Sequence, residues 1–317
     1  MDNHLPLGFG CSVLGGDLSA AKQRAILDAA LDAGFRYFDV APSYGNGNSE
    51  RVLGQALSGA IDRVTIATKV GIGHPSSNGF DLVRRAVRPL KAVAPALWGR
   101  VARRARQAVA PRGRFGVGDV QATVQESMRR LGVKRLDRLL LHEVTVGDLA
   151  DDLLKVLDTL VRSGTVGAIG LGTSVEASQE ILALHPNVFS IVQVPHYWGA
   201  FSPGLGNRVT QLVTHRCLRN GAELAHTDAL ERAVGDHALG AELRRWLADP
   251  GARPELLLKA GLLLRPEARM LVSSSDPARV RRLAFWAKDD SAATEARALN
   301  ECLWRIAKPG TTMQAER

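Results

Sequence analysis

Short apolar runs alternate with amphipathic stretches along most of the chain. Eight runs rich in Val, Ile, Leu or Phe stand out: LPLGFG, FRYFDVA, RVTIATKV, RLDRLLLH, VGAIGLG, VFSIVQV, TQLVTH and RMLVSSS. Runs of this kind predict strands covered on both faces. Between them lie SAAKQRAILDAALDAG, SERVLGQALSG, VGDVQATVQESMRRLG, VGDLADDLLKVLDTLVRSG and SVEASQEILALH. These place apolar residues at three- and four-residue spacing behind acid or hydroxyl starts, which predicts helices. Gly34, Gly59, Gly132 and Gly164 close four of them and suit the left-handed position just past a helix end. Eight strands alternating with helices predict a parallel (β/α)8 TIM barrel, a single domain over 1–317. One link is poor. HYWGAFSPGLGNRV, between the sixth and seventh strands, has two glycine-rich breaks, so its helix is expected to be short, irregular or absent. HTDALERAVGDHALGAELRRWLADPG predicts one or two helices, and 288–317 a C-terminal helix and tail.

The competing architecture is a doubly wound sheet, which normally carries a glycine fingerprint after its first strand. GFGCSV, GIGHPS and GLGTSV each show GxG but lack the third glycine, so the barrel is preferred. At 317 residues, with 45% hydrophobic and 23% charged residues, the chain has an ordinary globular composition. Cys11, Cys217 and Cys302 are far apart and show no metal spacing. HEVTV begins like a zinc-protease motif, but Val146 stands where the second histidine is needed, so no metal site is expected. The start MDNHLPLGFG has no secretory pattern, and LLLKAGLLL is too short to span a bilayer. A reduced, cytoplasmic setting is expected, and a membrane setting is not.

Charge sharpens the picture. The net charge is +9, and residues 76–114 contain ten basic side chains against the single acid Asp81, so this segment holds the whole excess. It predicts a basic helical insertion after strand three, and no nucleic-acid motif accompanies it. Two roles are open for its arginines: a solvated helix packed over the barrel mouth, or recruitment of an anionic or carrier-linked substrate. Surface binding to anionic lipid is a third.

Candidate chemistry sits at strand ends, where barrels of this type carry it. Asp39 ends the second strand and Tyr44 follows in its loop; Lys69 ends the third strand and His142 the fourth. A phenol has a reference pKa of about 10. A neighbouring ammonium is expected to lower it, with a carboxylate holding the ammonium charged. A nearby imidazole can donate a hydrogen bond to a substrate oxygen. The set suits proton donation to a carbonyl that becomes an alcohol.

FDVAPSYGNGNSERVLGQAL, ATKVG and LLLHE resemble signatures of the aldo-keto reductases, FDTA-x-x-YG-x-G-x-SE-x-x-LG-x-AL, TK and LLH. The resemblance covers 8–75 and about 114–174 and is thinner beyond. It implies a metal-free, NADPH-dependent interconversion of carbonyls and alcohols, with Asp39, Tyr44, Lys69 and His142 as the catalytic set. NADH is the other cofactor it allows. For the cofactor it implies Thr173 or Ser174 and Gln193 at the nicotinamide amide, and His215 against the ring. It further implies Ser273 and Ser274 at the phosphates and Arg279 at the 2′-phosphate. Three functions follow from it. The first is reduction of an aldehyde or ketone, the second oxidation of a sugar or lactol, and the third a cofactor-sensing regulatory subunit.

Overall fold

The computed structural model describes residues 5–16, 18–73, 112–198 and 205–306. The basic insertion expected over 76–114 therefore lies outside the described residues except at its end, and so does the expected tail from 307 onward.

All eight expected strands form. They are β1 (Leu7–Gly10), β2 (Tyr37–Asp39), β3 (Thr65–Val70), β4 (Leu136–His142), β5 (Val166–Gly172), β6 (Ile191–Pro195), β7 (Gln211–His215) and β8 (Ala268–Val272). Each pairs in parallel with the next, and β8 returns to β1, closing the barrel in chain order. The register alternates side chains between two environments, as a period of two requires. Tyr37, Ala67, Leu140, Ile191, Val213 and Leu271 pack together inside the barrel. Their neighbours Phe38, Leu139, Leu141, Val192, Leu212, Met270 and Val272 face the surrounding helices in the main core. Both faces are covered, which is why the strands read as unbroken apolar runs.

The helices follow the expected order: α1 (Ala20–Asp32), α2 (Ser49–Leu57), α3 (Val117–Leu131), α4 (Asp151–Arg162) and α5 (Val175–Leu184). Ser19 caps α1 by accepting from the Lys22 amide at 3.3 Å. Gly34, Gly132 and Gly164 adopt left-handed backbone with φ of 98°, 69° and 73°. Gly59 does not. Helix α2 ends through Ser58 in right-handed conformation, and the chain continues into a short turn at Ile61–Arg63. The Ala60 amide donates to the Leu57 carbonyl at 2.7 Å, so that end is satisfied without a left-handed residue.

The weak link between β6 and β7 contains only the single turn α6 (Leu205–Arg208) among its described residues. After β7 come α7 (Cys217–Leu224), α8 (Asp228–Gly235), α9 (Gly240–Ala248) and α10 (Arg253–Leu264). Helix α11 (Pro277–Trp286) follows β8, and α12 (Ala293–Ile306) is the expected C-terminal helix. Leu230, Leu243, Leu256, Leu299 and Leu303 give α8, α9, α10 and α12 a core of their own beside the barrel. Among the described residues no helix is long and apolar enough to cross a membrane.

Candidate active site

The loop after β2 is shaped by its glycines. Gly45, Asn46 and Gly47 take φ of 55°, 60° and 79° in succession. A Cβ on Gly45 would lie 1.9 Å from the Leu14 carbonyl oxygen, so only glycine fits beneath that turn. The Ser49 hydroxyl donates to the same carbonyl at 2.7 Å, tying the start of α2 to the loop after β1. Glu50 is buried and accepts from the Thr68 hydroxyl at 2.7 Å. Gly54 lets α2 approach the end of α3, where a Cβ would meet the Leu131 carbonyl at 2.4 Å. Much of the long motif is thus scaffold, and its product is a fixed position for Tyr44.

Beneath Tyr44, three side chains meet. Lys69 Nζ donates to Asp39 Oδ1 at 2.7 Å, to the Val40 carbonyl at 3.1 Å and to the Tyr44 hydroxyl at 3.3 Å. The ammonium also sits 4.8 Å from the centre of the Tyr44 ring. Lys69 is 1% exposed and Asp39 3%, whereas Tyr44 reaches the surface. The Tyr44 and His142 rings meet edge to face with centroids 6.2 Å apart. The four groups expected to converge therefore share one mouth of the barrel.

Electrostatics decide their protonation. Burial pulls Lys69 down, but Asp39 and then Tyr44 more than reverse it, so the net direction is upward and the amine stays charged. Burial raises Asp39, opposed by Lys69 and by a hydrogen bond from Gln193. Tyr44 departs from the expectation of a lowered phenol. Burial raises its pKa, and Lys69 only partly pulls it back, so the net direction is upward. The physical reason is that a phenolate in this site loses more hydration than one ammonium returns. His142 is pushed down to about 3 by burial, then by Lys69, His215 and Arg112. It is a neutral imidazole near pH 7, and its Nδ1 is buried without a hydrogen-bond partner.

The residues expected at the cofactor are placed less uniformly. Gln193 is 5% exposed, turned toward Asp39, and its Oε1 is buried without a partner. His215 ends β7 and is pushed down to about 3 by burial, then by Arg216, Lys69 and His196. The Thr173 hydroxyl donates to the Val144 carbonyl at 3.0 Å, and exposed Ser174 caps α5 by accepting from the Ala177 amide at 3.1 Å. Both hydroxyls therefore have structural work. Beyond β8, Ser273 and Arg279 are exposed, and the Ser274 hydroxyl accepts from the Asp276 amide at 3.1 Å. Sequence reasoning passed over Asp276, whose carboxylate caps α11 by accepting from the Ala278 amide at 3.0 Å. An Asp immediately before a Pro-led helix is the signal that could have found it.

Cys11 was also missed. Its thiol lies near Asp39, Lys69 and Tyr44, where burial and then Asp39 raise its pKa well above the ordinary value. It is an inert neighbour at this site. Besides Asn46, the mouth carries two further non-glycine residues in left-handed backbone, Glu143 (φ 56°) and Arg216 (φ 63°), each directly after a histidine that ends a strand. Of the ten basic residues in 76–114, the described Arg112 and Arg114 are paired at the surface with Glu143 and Asp119. Among the described residues no cluster of His, Cys, Asp or Glu could hold a metal.

An eight-stranded parallel barrel with a buried carboxylate–ammonium pair beneath a phenol at its C-terminal mouth defines the class of molecule. The sequence profile of the aldo/keto reductase family matches residues 6–198, more than half of the chain, and the protein belongs to that family. D-threo-aldose 1-dehydrogenase from Pseudomonas sp is 33% identical over 190 residues, which is 53% of this chain and 50% of that protein. Pyridoxal 4-dehydrogenase from Microbacterium luteolum is 47% identical over 68 residues, 20% of each chain. The alignments thus span about half or less of these relatives' lengths. The holo form of aldo-keto reductase AKR11C1 from Bacillus halodurans superposes with a TM-score of 0.69 at 20% identity, over 98% of this chain and 94% of its own. That likeness concerns the fold.

Proposed function

We propose that the protein is an NAD(P)H-dependent oxidoreductase that interconverts a small carbonyl compound and its alcohol, with Tyr44 as proton donor in the reducing direction. The observation that carries this reading is Lys69 Nζ held between Asp39 at 2.7 Å and the Tyr44 hydroxyl at 3.3 Å. A phenol that burial keeps protonated is ready to give its proton to an oxygen gaining negative charge. The ammonium beside it stabilises the phenolate as it forms, and Asp39 keeps that ammonium charged and aimed. Neutral His142, edge-on to Tyr44, donates a hydrogen bond to the same substrate oxygen and so orients the carbonyl. No side chain need attack the substrate.

The residues present fit a nicotinamide cofactor at one point above all. The buried, unpartnered Gln193 Oε1 is an acceptor waiting for an amide N–H of the kind a carboxamide provides. His215, at the end of the neighbouring strand β7, offers a flat ring face. When bound, the nicotinamide supplies the hydride that the carbonyl carbon accepts. Exposed Arg279 favours the 2′-phosphate of NADPH, while the Asp276 carboxylate at the α11 cap works against an anion there. We assign NADPH as preferred and NADH as the weaker alternative. We also place the protein in the cytoplasm, where its three buried cysteines remain thiols.

A second reading has a specific observation behind it. Two of the relatives are named as dehydrogenases, one of an aldose and one of pyridoxal. The same site run backwards removes a proton from a sugar lactol through the Tyr44 oxygen, and the substrate is then a sugar.

The deciding experiment titrates NADPH and NADH by quenching of protein fluorescence, then assays carbonyl reduction and sugar oxidation with Tyr44→Phe beside the parent. The expected result is unchanged cofactor binding with turnover reduced roughly 100- to 10,000-fold in both directions. Full turnover in Tyr44→Phe removes the phenol from the mechanism.

A further inference from the structure

We propose that the N-terminal end of the barrel interior binds a small monovalent anion of chloride size between Tyr37, Arg138 and Arg269. These residues come from β2, β4 and β8, and each precedes by two positions a residue already placed inside: Asp39, Leu140 and Leu271. Alternate strands of such a barrel contribute to common layers of the interior, a layer normally filled by branched apolar side chains. Here the layer nearest the N-terminal mouth carries a phenol and two guanidinium groups instead.

Their hydrogen bonding is incomplete in a consistent way. Tyr37 is 2% exposed, and its hydroxyl is buried without a partner. Arg138 Nε and Arg269 Nε are likewise buried without partners, although each guanidinium is only partly covered. The remaining bonds are to neutral carbonyls. Arg138 donates to the Asp137 carbonyl at 3.0 Å, and Arg269 donates to the carbonyls of Leu5 and Leu7 at 3.3 Å. Among the described residues neither arginine has a carboxylate partner. The adjacent carboxylate of Asp137 is engaged elsewhere, accepting from the Ile66 amide at 2.9 Å.

Tyr37 and Arg269 are also close together, and Arg138 is near enough to act on the Tyr37 phenol. The Arg269 guanidinium carbon lies 5.2 Å from the Tyr37 ring centre. A Cβ on Gly8 would come within 2.9 Å of the Tyr37 ring and 3.5 Å of the Arg269 side chain, so the strand beside them is kept bare. Burial, and then the Asp39 carboxylate one layer above, raise the Tyr37 pKa despite the nearby arginines, so the phenol keeps its proton and remains a donor. The layer thus holds three unpartnered atoms able to donate, the Tyr37 hydroxyl, Arg138 Nε and Arg269 Nε, beside two positive charges that no carboxylate pairs among the described residues. A buried donor left unpaired is costly, and uncompensated charge adds to that cost. A water molecule can accept from some of these groups but leaves both charges standing. A monovalent anion accepts from all three and cancels one of the charges.

The test is thermal unfolding of the full chain in sodium chloride against sodium gluconate at matched ionic strength. The expected result is a saturable rise in Tm of roughly 2–4 °C in chloride that gluconate does not reproduce. Arg138→Met and Arg269→Met are expected to abolish the chloride-specific rise. Tyr37→Phe, which keeps the ring and removes one donor, is expected to shift its midpoint about tenfold higher in chloride. If an arginine variant does not fold, Tyr37→Phe and the anomalous signal of a bromide-soaked crystal decide the matter. A bromide peak touching all three residues supports the site. Coincident chloride and gluconate curves, a chloride rise retained in the arginine variants, or a peak-free site holding only water would overturn it.

Discussion

Replacing Asp39 by Asn tests the central electrostatic claim directly. The substitution keeps the shape of the side chain but removes the charge that holds Lys69 Nζ at 2.7 Å. Lys69 is 1% exposed, so its ammonium cannot turn to water. Breaking one partner of a buried pair leaves an uncompensated charge, a loss of about 3–5 kcal/mol. For a chain of 317 residues, the unfolding entropy of roughly 2 cal/mol/K per residue converts that loss to a Tm decrease of about 4–8 °C. A pH signature separates this cause from loss of packing. In the parent, Lys69 has a raised folded-state pKa, so its contribution is present below the unfolded value of about 10.4 and is lost as pH climbs through the folded value. In Asp39→Asn, burial dominates and the Lys69 pKa falls below the unfolded value. The unfolded chain then binds the additional proton, and stability increases with pH on the way to about 10.4. Urea midpoints from pH 7 to 10, measured for both proteins, should therefore diverge in slope. The double variant Asp39→Leu/Lys69→Met, which removes both charges, should regain most of the lost stability while remaining inactive. Parallel pH slopes, or a double variant no more stable than Asp39→Asn, would refute the reasoning.

Three further outcomes are expected. Gly45→Ala drives a methyl into the Leu14 carbonyl, so it should cost about 1–3 kcal/mol and lower kcat through a displaced Tyr44, read by chemical denaturation and steady-state kinetics. His142, His196 and His215 are each pushed down to about 3, so they bind protons in the unfolded chain near pH 6.5 but not in the fold. Stability should fall as pH drops from about 6.5 toward 3, with His196→Gln lessening the slope of the urea midpoint against pH. Activity, by contrast, should show no inflection near 6.5 that disappears in His142→Gln. Arg279→Ala should weaken NADPH binding roughly tenfold and leave NADH unchanged, as measured by fluorescence titration.

Much of the barrel could be read from the chain, because strands covered on both faces must be apolar along their whole length. Asp39, Lys69 and His142 were conspicuous for the same reason: each is a polar group closing such a run. The three glycines that end α1, α3 and α4 were legible because only glycine readily takes their backbone conformation, and Gly59 was misread because a tight turn can satisfy the same carbonyls without it. The single-turn link before β7 showed in its broken period.

Protonation was decided elsewhere. That Tyr44 stays a phenol depends on how much water its site excludes, a property of packing from several strands at once. The roles of Gly45, Ser49, Glu50 and Gly54 as supports depend on contacts with Leu14, Thr68 and Leu131, which no local pattern names. The same holds for Tyr37, Arg138 and Arg269, ordinary polar letters in three separate strands until barrel closure faces them toward one another. Sequence by itself determined which segments are strands and which polar groups end them, because covering a strand on two faces dictates composition residue by residue. Only the closed tertiary structure decided which of those groups share a charge, a proton or an empty acceptor position, because those energies depend on distances and burial across the barrel.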